Sequence, residues 1–242
     1  ALNGIRLMPY YIEGMWMKHS RKKELAATLF GPCELKTTIN STPVRIVEKT
    51  NYPFSDTITF IVHPKNQTEF NLVIRKPFGC EISLLNIPES AKLEEDADKL
   101  IIKNQWKKED VVQIKFNFSI QHIDQPGSKT VKDQGIYLKR GPLVYSLPFN
   151  YKIDTIKEYK NSGFHRYKLK AKDTIGWHYK IDGKDPFEFI PNINKSLKKP
   201  WESPSVGLKG FLRDNENIKQ PVKLVPMGNT VFRRVTFTVN NN

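Results

Sequence analysis

Four acidic side chains lie close together in the sequence, at Glu94, Glu95, Asp96 and Asp98. Paired carboxylates hydrolyse glycosidic bonds when they face each other across the bond at about 5–10 Å. Near neighbours in a single polar run more often form a solvated surface. We therefore expect no catalytic pair in this run, and no residue of the chain is predicted to be catalytic.

Side chains that bind metals or attack substrates are also scattered. The five histidines lack the H-x-x-x-H and H-E-x-x-H spacings of zinc sites, and Cys33 and Cys80 are far from a C-x-x-C pair. The G-x-S-x-G elbow, the P-loop and the G-x-G-x-x-G turn are absent from the sequence. We predict no metal site and no cofactor site, and we interpret the two cysteines as small buried apolar residues.

Tryptophan is the residue type that points most directly to a ligand. The aromatic face of an indole suits the apolar C–H face of a sugar ring, so each tryptophan could contact carbohydrate. The four tryptophans are Trp16, Trp106, Trp177 and Trp201. In a β-sandwich a tryptophan more often belongs to the core, and both interpretations stay open for all four.

The chain is strongly basic, with a formal net charge of +14. This charge favours anionic partners such as nucleic acid, acidic glycans or a membrane surface. The lysines alternate with apolar residues, as in Tyr167-Lys168-Leu169-Lys170, which places them on the solvent side of strands. The chain lacks an aromatic and basic stacking strand of the kind that proteins binding single-stranded nucleic acid use, so we expect no nucleic-acid partner. No apolar run approaches the roughly 20 residues of a membrane span.

Short strands bounded by turn residues recur along the first half of the chain. Alternation of apolar and polar residues predicts strands at 24–30, 33–39, 44–49, 57–63, 70–75, 81–85, 99–103 and 111–118. The pattern also predicts an acidic loop at 87–98 and a link at 104–110 that carries Trp106. Such evenly spaced strands are typical of a sandwich rather than of alternating strands and helices.

The most apolar stretch, 135–147, predicts one long buried strand that closes a first unit, with Gly141 permitting a bend. A second all-β unit follows, and the segment 192–217 within it shows little pattern. Its strands are predicted near 166–170, 176–181, 187–190, 222–225 and 230–239.

The predicted fold is therefore all-β, with two β-sandwich domains at 19–148 and 149–242. Residues 1–18 are apolar and aromatic but lack strand alternation. We interpret them as a short helical or irregular remnant of an upstream domain, ending near Lys18.

Six segments resemble, in the same order along the chain, motifs of glycoside hydrolase family 127, the β-L-arabinofuranosidase-like enzymes. They are 25–32 (LAATLFGP), 50–54 (TNYPF), 70–77 (FNLVIRKP), Trp106 with 110–112 (DVV), 140–145 (RGPLVY) and 224–233 (LVPMGNTVFR). The segment RGPLVY matches its motif outright, whereas Lys76 stands where an apolar residue is usual.

The resemblance implies an N-terminal (α/α)6 barrel followed by β-sandwich domains, with this chain as the C-terminal sandwich portion. It places zinc and a cysteine nucleophile in the barrel, on three cysteines and a glutamate. Neither Cys33 nor Cys80 falls on a matching position, so no catalytic residue is carried over. The resemblance also implies a periplasmic or secreted protein.

If the barrel lies upstream, the start of the chain should expose an apolar patch that normally packs against it. The residues expected in this patch are Pro9, Tyr10, Tyr11, Met15 and Trp16.

The hypothesis from sequence is a non-catalytic, C-terminal β-sandwich portion of a glycoside hydrolase that acts on plant-type or other complex glycans. Its partners would be the upstream catalytic barrel and a glycan. The alternative is a free-standing carbohydrate-binding or adhesion module. Whether the chain belongs to an enzyme stays open at this point, as do the sugar and the linkage.

Overall fold

The computed structural model describes residues 2–125, 135–172, 175–183, 185–191 and 204–239. Within these residues strands predominate and the only α-helix is α1 (Leu2–Glu13). The predicted all-β class is therefore confirmed. None of the described helices combines the length and apolar content that a transmembrane span requires. Trp201, one of the four predicted sugar contacts, lies outside the described residues.

The strands of the first half are β1 (Trp16–His19), β2 (Glu24–Ala27), β3 (Cys33–Ile39), β4 (Thr42–Thr50), β5 (Thr57–Pro64), β6 (Thr68–Arg75), β7 (Glu81–Asn86), β8 (Lys92–Glu95), β9 (Lys99–Trp106) and β10 (Asp110–Asn117). Those of the second half are β11 (Ile120–Asp124), β12 (Gly135–Arg140), β13 (Leu143–Pro148), β14 (Tyr151–Glu158), β15 (His165–Ala171), β16 (Glu188–Pro191), β17 (Val206–Arg213), β18 (Lys219–Pro226), β19 (Arg233–Arg234) and β20 (Phe237–Thr238).

The chain divides into two compact units, Ala1–Ser119 and Ile120–Asn242. The sequence pattern indicates a later boundary, after Pro148. The difference arises because β12 and β13 pair with β11, β18, β19 and β20, all of which belong to the second unit. The stretch expected to close the first unit therefore belongs to the second.

The first unit is a sandwich of two five-stranded sheets, ordered β1-β2-β6-β9-β8 and β3-β4-β5-β10-β7. Every second side chain of β5 is buried, and β9 alternates in the same way along most of its length. The inward side chains of both sheets, such as Phe60 and Ile102, form one shared core. Period-2 alternation alone accounts for this arrangement, since each strand buries one face.

Helix α1 ends at Glu13 rather than near Lys18, and the residues that follow form the edge strand β1. Strand β1 pairs with β2 in register Trp16 to Ala27. The end of α1 is held by the Tyr11 hydroxyl, which donates to the backbone oxygen of Phe30 at 2.8 Å. The expected remnant is thus partly an integral strand of the sandwich.

Two further differences concern the predicted acidic loop at 87–98 and the predicted link at 104–110. Residues Lys92–Glu95 form β8, which pairs only with β9 among the described strands, and all four of its residues are exposed. Alternation is absent from this edge strand because neither of its faces is buried. Strand β9 extends to Trp106, which therefore lies on a strand and not in a link.

The second unit is built on an eight-stranded sheet whose main path runs β11-β12-β13-β18-β17-β16. The predicted long strand 135–147 is instead a hairpin, β12 and β13, that turns at Gly141 with a φ of 56°. Glycine adopts this left-handed conformation without a steric penalty, so the bend becomes a full reversal. Strands β14 and β15 form a separate two-stranded ribbon.

The predicted strand at 176–181 is also wrong, because Ile175–His178 is a 3₁₀ helix and only isolated bridges follow it. The predicted strand 230–239 is divided into β19 and β20. The segment 192–217 contains β17, which pairs with β18 from Leu208 to Arg213 and with β16 from Val206 to Lys209.

Candidate functional site

The structure separates the predicted sugar-contact residues into core and surface. Trp106 is fully buried, stacks on Phe70 at 5.3 Å between ring centroids, and donates its indole N–H to the Phe70 carbonyl at 2.8 Å. Its ring has no face open to a ligand. Trp16 is half-buried against Phe60, with centroids 5.7 Å apart. Trp177, 44% exposed, is the most accessible of the described tryptophans.

Trp177 borders an open pocket of about 320 Å³ in the second unit. The pocket is lined by Gln125, Gly135, Trp177, Arg234, Thr236, Phe237 and Thr238. These residues come from the end of β11, the start of β12, the 3₁₀ helix, and the short strands β19 and β20. Strand β12 pairs with β20 in register Gly135 to Thr238, and this pairing places the start of β12 beside β20 at the pocket.

An aromatic cluster fixes the orientation of Trp177. Its ring stacks on Phe232 at 5.9 Å with an interplanar angle of 20°, and packs against Phe149 at 5.0 Å. The preceding residue, Gly176, lies so close to the core that an added Cβ would be 3.1 Å from both Leu147 and Phe149. Trp177 is therefore a rigid ring at the mouth of the pocket.

The Arg234 guanidinium lies beside the backbone of Trp177 and is half-buried. Its Nε donates to the Thr236 carbonyl at 2.9 Å, and its Nη1 donates to the carbonyl of Trp177 itself. The charge also lies 5.4 Å from the centroid of Phe237. Burial lowers the pKa of Arg234, and no carboxylate among the described residues counters that effect.

A second group of polar side chains lies inside the first unit. The carboxyl group of Glu48 is buried, accepts the backbone N–H of Gly31 at 3.0 Å, and lies 3.6 Å from the Cys33 thiol. The indole N–H of Trp16 donates to the sulfur of Cys33 at 3.3 Å. Burial raises the pKa of Glu48 to about 7 and that of Cys33 to about 11.

This second group is poorly suited to nucleophilic catalysis. A cysteine attacks as a thiolate, and a thiol with a raised pKa is protonated at neutral pH. Burial also raises the pKa of Cys80. Among the described residues, no group of three or more His, Cys, Asp or Glu side chains could hold a metal ion.

Helix α1 exposes several apolar side chains. Tyr10 is 71% exposed, Leu7 63% and Ile12 62%, whereas Met15 is buried. The expected patch is thus present at Pro9 and Tyr10, but Met15 belongs to the interior. Tyr11 and Trp16 are half-buried and make the contacts described above.

The sequence pattern predicted Trp177 as a possible sugar contact, a prediction that still stands untested, and it did not single out Arg234 or Glu48. Arg234 lies in an alternating segment that predicts an ordinary solvated strand, so nothing in the sequence marks its burial. Glu48 had a detectable signal, since Val44, Ile46 and Glu48 alternate on one face of β4 and all three are buried. A glutamate that continues a row of inward-facing apolar residues, at every second position of a strand, predicts a buried carboxyl group.

Comparison with known proteins gives a family match for part of the chain. Residues 24–118 match the model of the β-L-arabinofuranosidase GH127 middle domain. Because this is the model of a middle domain, a C-terminal position for the chain stays a prediction. A search of curated proteins gives no match.

Solved structures share the fold of almost the whole chain. A GH127 β-L-arabinofuranosidase from Geobacillus stearothermophilus T6 has a TM-score of 0.64 at 18% identity, covering 98% of this chain and 37% of its own. A glycoside hydrolase gives 0.60 at 18%, covering 94% and 37%, and a GH127 β-arabinofuranosidase gives 0.62 at 12%, covering 93% and 36%. The chain therefore spans little more than a third of the length of these proteins.

Proposed function

We propose that this chain is the non-catalytic β-sandwich portion of a GH127-like glycoside hydrolase and that it supports a catalytic (α/α)6 barrel. The observation that carries the proposal is the match of residues 24–118 to the GH127 middle domain. The shared fold over nearly the whole chain supports it. The enzyme as a whole would act on plant-type or other complex glycans.

Helix α1 is the surface that would contact the barrel. It is anchored to the sandwich by the Tyr11–Phe30 hydrogen bond and by buried Met15. Leu7, Tyr10 and Ile12 of the helix are exposed to solvent. Burial of such side chains contributes about 1.5–3 kcal/mol each for the larger aliphatic residues, which is enough to hold two domains together.

The polar groups of the first unit fit a structural role in this proposal. Protonated Cys33 and buried Glu48 lie behind the loop at Gly31 and Phe30, on which α1 rests. They would stabilise the loop that holds α1 against the barrel, and the residues that hydrolyse the glycoside would belong to the barrel.

Sequencing the coding DNA that precedes the Ala1 codon tests this proposal. We expect an in-frame (α/α)6 barrel that carries the zinc-binding cysteines. A different type of domain in that position, or a stop codon, would overturn it.

A second candidate function, a free-standing carbohydrate-binding module, is favoured by one observation. Trp177 combines exposure with a fixed orientation beside an open pocket, as a sugar-stacking residue requires. The two functions are distinguished by the coding DNA, since only the first requires a barrel.

A further inference from the structure

The Trp177 pocket has a marked chemical bias. Its described lining has one cationic side chain, Arg234, no anionic side chain, and the neutral polar groups of Gln125, Thr236 and Thr238. The whole chain is basic as well, with a net charge of +14. An anionic ligand is therefore favoured at this pocket both locally and at long range.

Arg234 has unused hydrogen-bonding capacity. A guanidinium has five N–H donors, and the two hydrogen bonds to Thr236 and Trp177 hold the group in place. The other three donors, including both on Nη2, have no acceptor among the residues that the structure describes. A half-buried guanidinium that keeps free donors and lacks a carboxylate among the described residues is arranged to receive two oxygens of one anionic group.

The remainder of the lining suits a sugar ring better than a bare anion. Trp177, which is 44% exposed, supplies apolar surface, while two threonine hydroxyls and one amide supply donors and acceptors for ring hydroxyls. Gly135 keeps the pocket open, because a Cβ there would lie 3.1 Å from Gln125 Oε1 and 3.2 Å from Thr236 Cβ. A volume of about 320 Å³ is at the small end for ligand sites and fits one or two sugar residues.

We propose that the pocket formed by Trp177 and Arg234 binds an acidic sugar, a uronic acid residue, with the carboxylate on the Arg234 guanidinium and the ring against Trp177. The site would hold an acidic glycan on the second unit. This inference does not depend on the presence of a catalytic barrel, since every group that it uses belongs to this chain.

Calorimetric titration of the full chain with galacturonic acid tests the proposal. Galactose is the matched neutral ligand, and acetate and phosphate are the matched small anions. We expect saturable binding of galacturonic acid, with weaker binding of galactose and of both anions. Equal affinity for galactose would overturn the role of Arg234. Equal affinity for acetate or phosphate would overturn the proposed recognition of the sugar ring and would indicate a simple anion site.

Two variants test the named residues. Loss of a charge-assisted bidentate contact in Arg234→Gln should weaken galacturonic acid binding roughly 10- to 100-fold. Trp177→Ala should weaken it roughly three- to tenfold. Arg233→Gln is the control, because Arg233 carries the same charge, bonds to the carbonyls of Thr230 and Val231, and does not line the pocket.

Arg234→Lys keeps the proposal testable if the glutamine variant does not fold. Lysine retains the charge but not the planar fork, so we expect an affinity about tenfold below that of the wild type. Wild-type affinity in both folded Arg234 variants, or an equal loss in Arg233→Gln, would overturn the proposed site. Absence of saturable galacturonic acid binding by the wild-type chain would also overturn the proposed site.

Discussion

The carboxyl group of Glu48 lies 3.6 Å from the thiol of Cys33, its direct neighbour across strands β3 and β4. The same carboxyl group accepts the N–H of Gly31, and the adjacent Phe30 carbonyl accepts the Tyr11 hydroxyl of α1. Burial raises the pKa of Glu48 to about 7. A group that titrates near neutral pH thus lies beneath the anchor of the exposed helix.

The first prediction is a loss of stability as the pH rises. The folded pKa of Glu48 lies above its ordinary value of 4.5, so the folded state keeps a proton that the unfolded state releases. The stabilising contribution is fully present below about pH 4.5 and is lost as the pH rises through about 7. It amounts to about 3 kcal/mol. We expect Glu48→Gln to remove this loss, as measured by urea unfolding between pH 5 and 8 with tryptophan fluorescence as the signal.

Glu34→Gln is the control for this prediction. Glu34 is an exposed carboxyl on β3 whose pKa is lowered by hydrogen bonds from Lys36 and Arg45. Its contribution therefore has the opposite sign and is lost as the pH falls. If the wild type and Glu48→Gln gave parallel curves of unfolding free energy against pH, Glu48 would not be the titrating group.

The second prediction separates the core tryptophan from the surface one. Trp106→Ala should lower the free energy of unfolding by about 3–5 kcal/mol, because a fully buried ring and its hydrogen bond are lost. Trp177→Ala should lower it by only about 1 kcal/mol. Urea unfolding followed by circular dichroism measures both. Similar losses for the two variants would mean that Trp177 is a core residue and not a ligand contact.

The third prediction concerns the exposed apolar side chains of α1. Ile12→Ser should reduce binding of an apolar fluorescent dye and leave the melting temperature unchanged, since Ile12 is 62% exposed. Met15→Ser is the matched control and should lower the melting temperature, because Met15 is buried. A comparable drop in melting temperature for Ile12→Ser would show that the Ile12 side chain is already covered within the chain.

The fourth prediction concerns the hairpin turn between β12 and β13. Gly141 has a φ of 56°, a conformation that costs an L-residue about 1–2 kcal/mol. Gly141→Ala should therefore lower the stability of the second unit by about that amount. Gly228→Ala is the control, because an added Cβ there would contact nothing within 4 Å. Equal melting temperatures for the two variants would contradict the strained turn.

The first unit could largely be predicted from sequence because its strands bury one face each. The predicted strand 33–39 coincides with β3, and 57–63 falls one residue short of β5. In both strands period-2 alternation is the direct record of burial. The same signal fails at β8, an edge strand with no buried face.

The second unit could not be predicted as well, because its strands depend on long-range pairing. Strand β17 has three consecutive buried residues, Val206, Gly207 and Leu208, so alternation is interrupted where β17 pairs with β16. The pocket also depends on contacts between residues that are distant in the sequence. Trp177 was identifiable by residue type, whereas the position of Arg234 depends on tertiary contacts to Thr236 and Trp177 that no local pattern encodes.

The proposed function places the catalytic groups outside these 242 residues. The most direct test of this proposal is hydrolysis of an aryl β-L-arabinofuranoside, and of other aryl glycosides, by the purified chain. We predict no release of the aryl alcohol above the rate in buffer, and turnover only when the chain is part of a protein that includes the barrel. Turnover by the chain alone that survives repurification, and is abolished by substituting one of its own residues, would contradict the account.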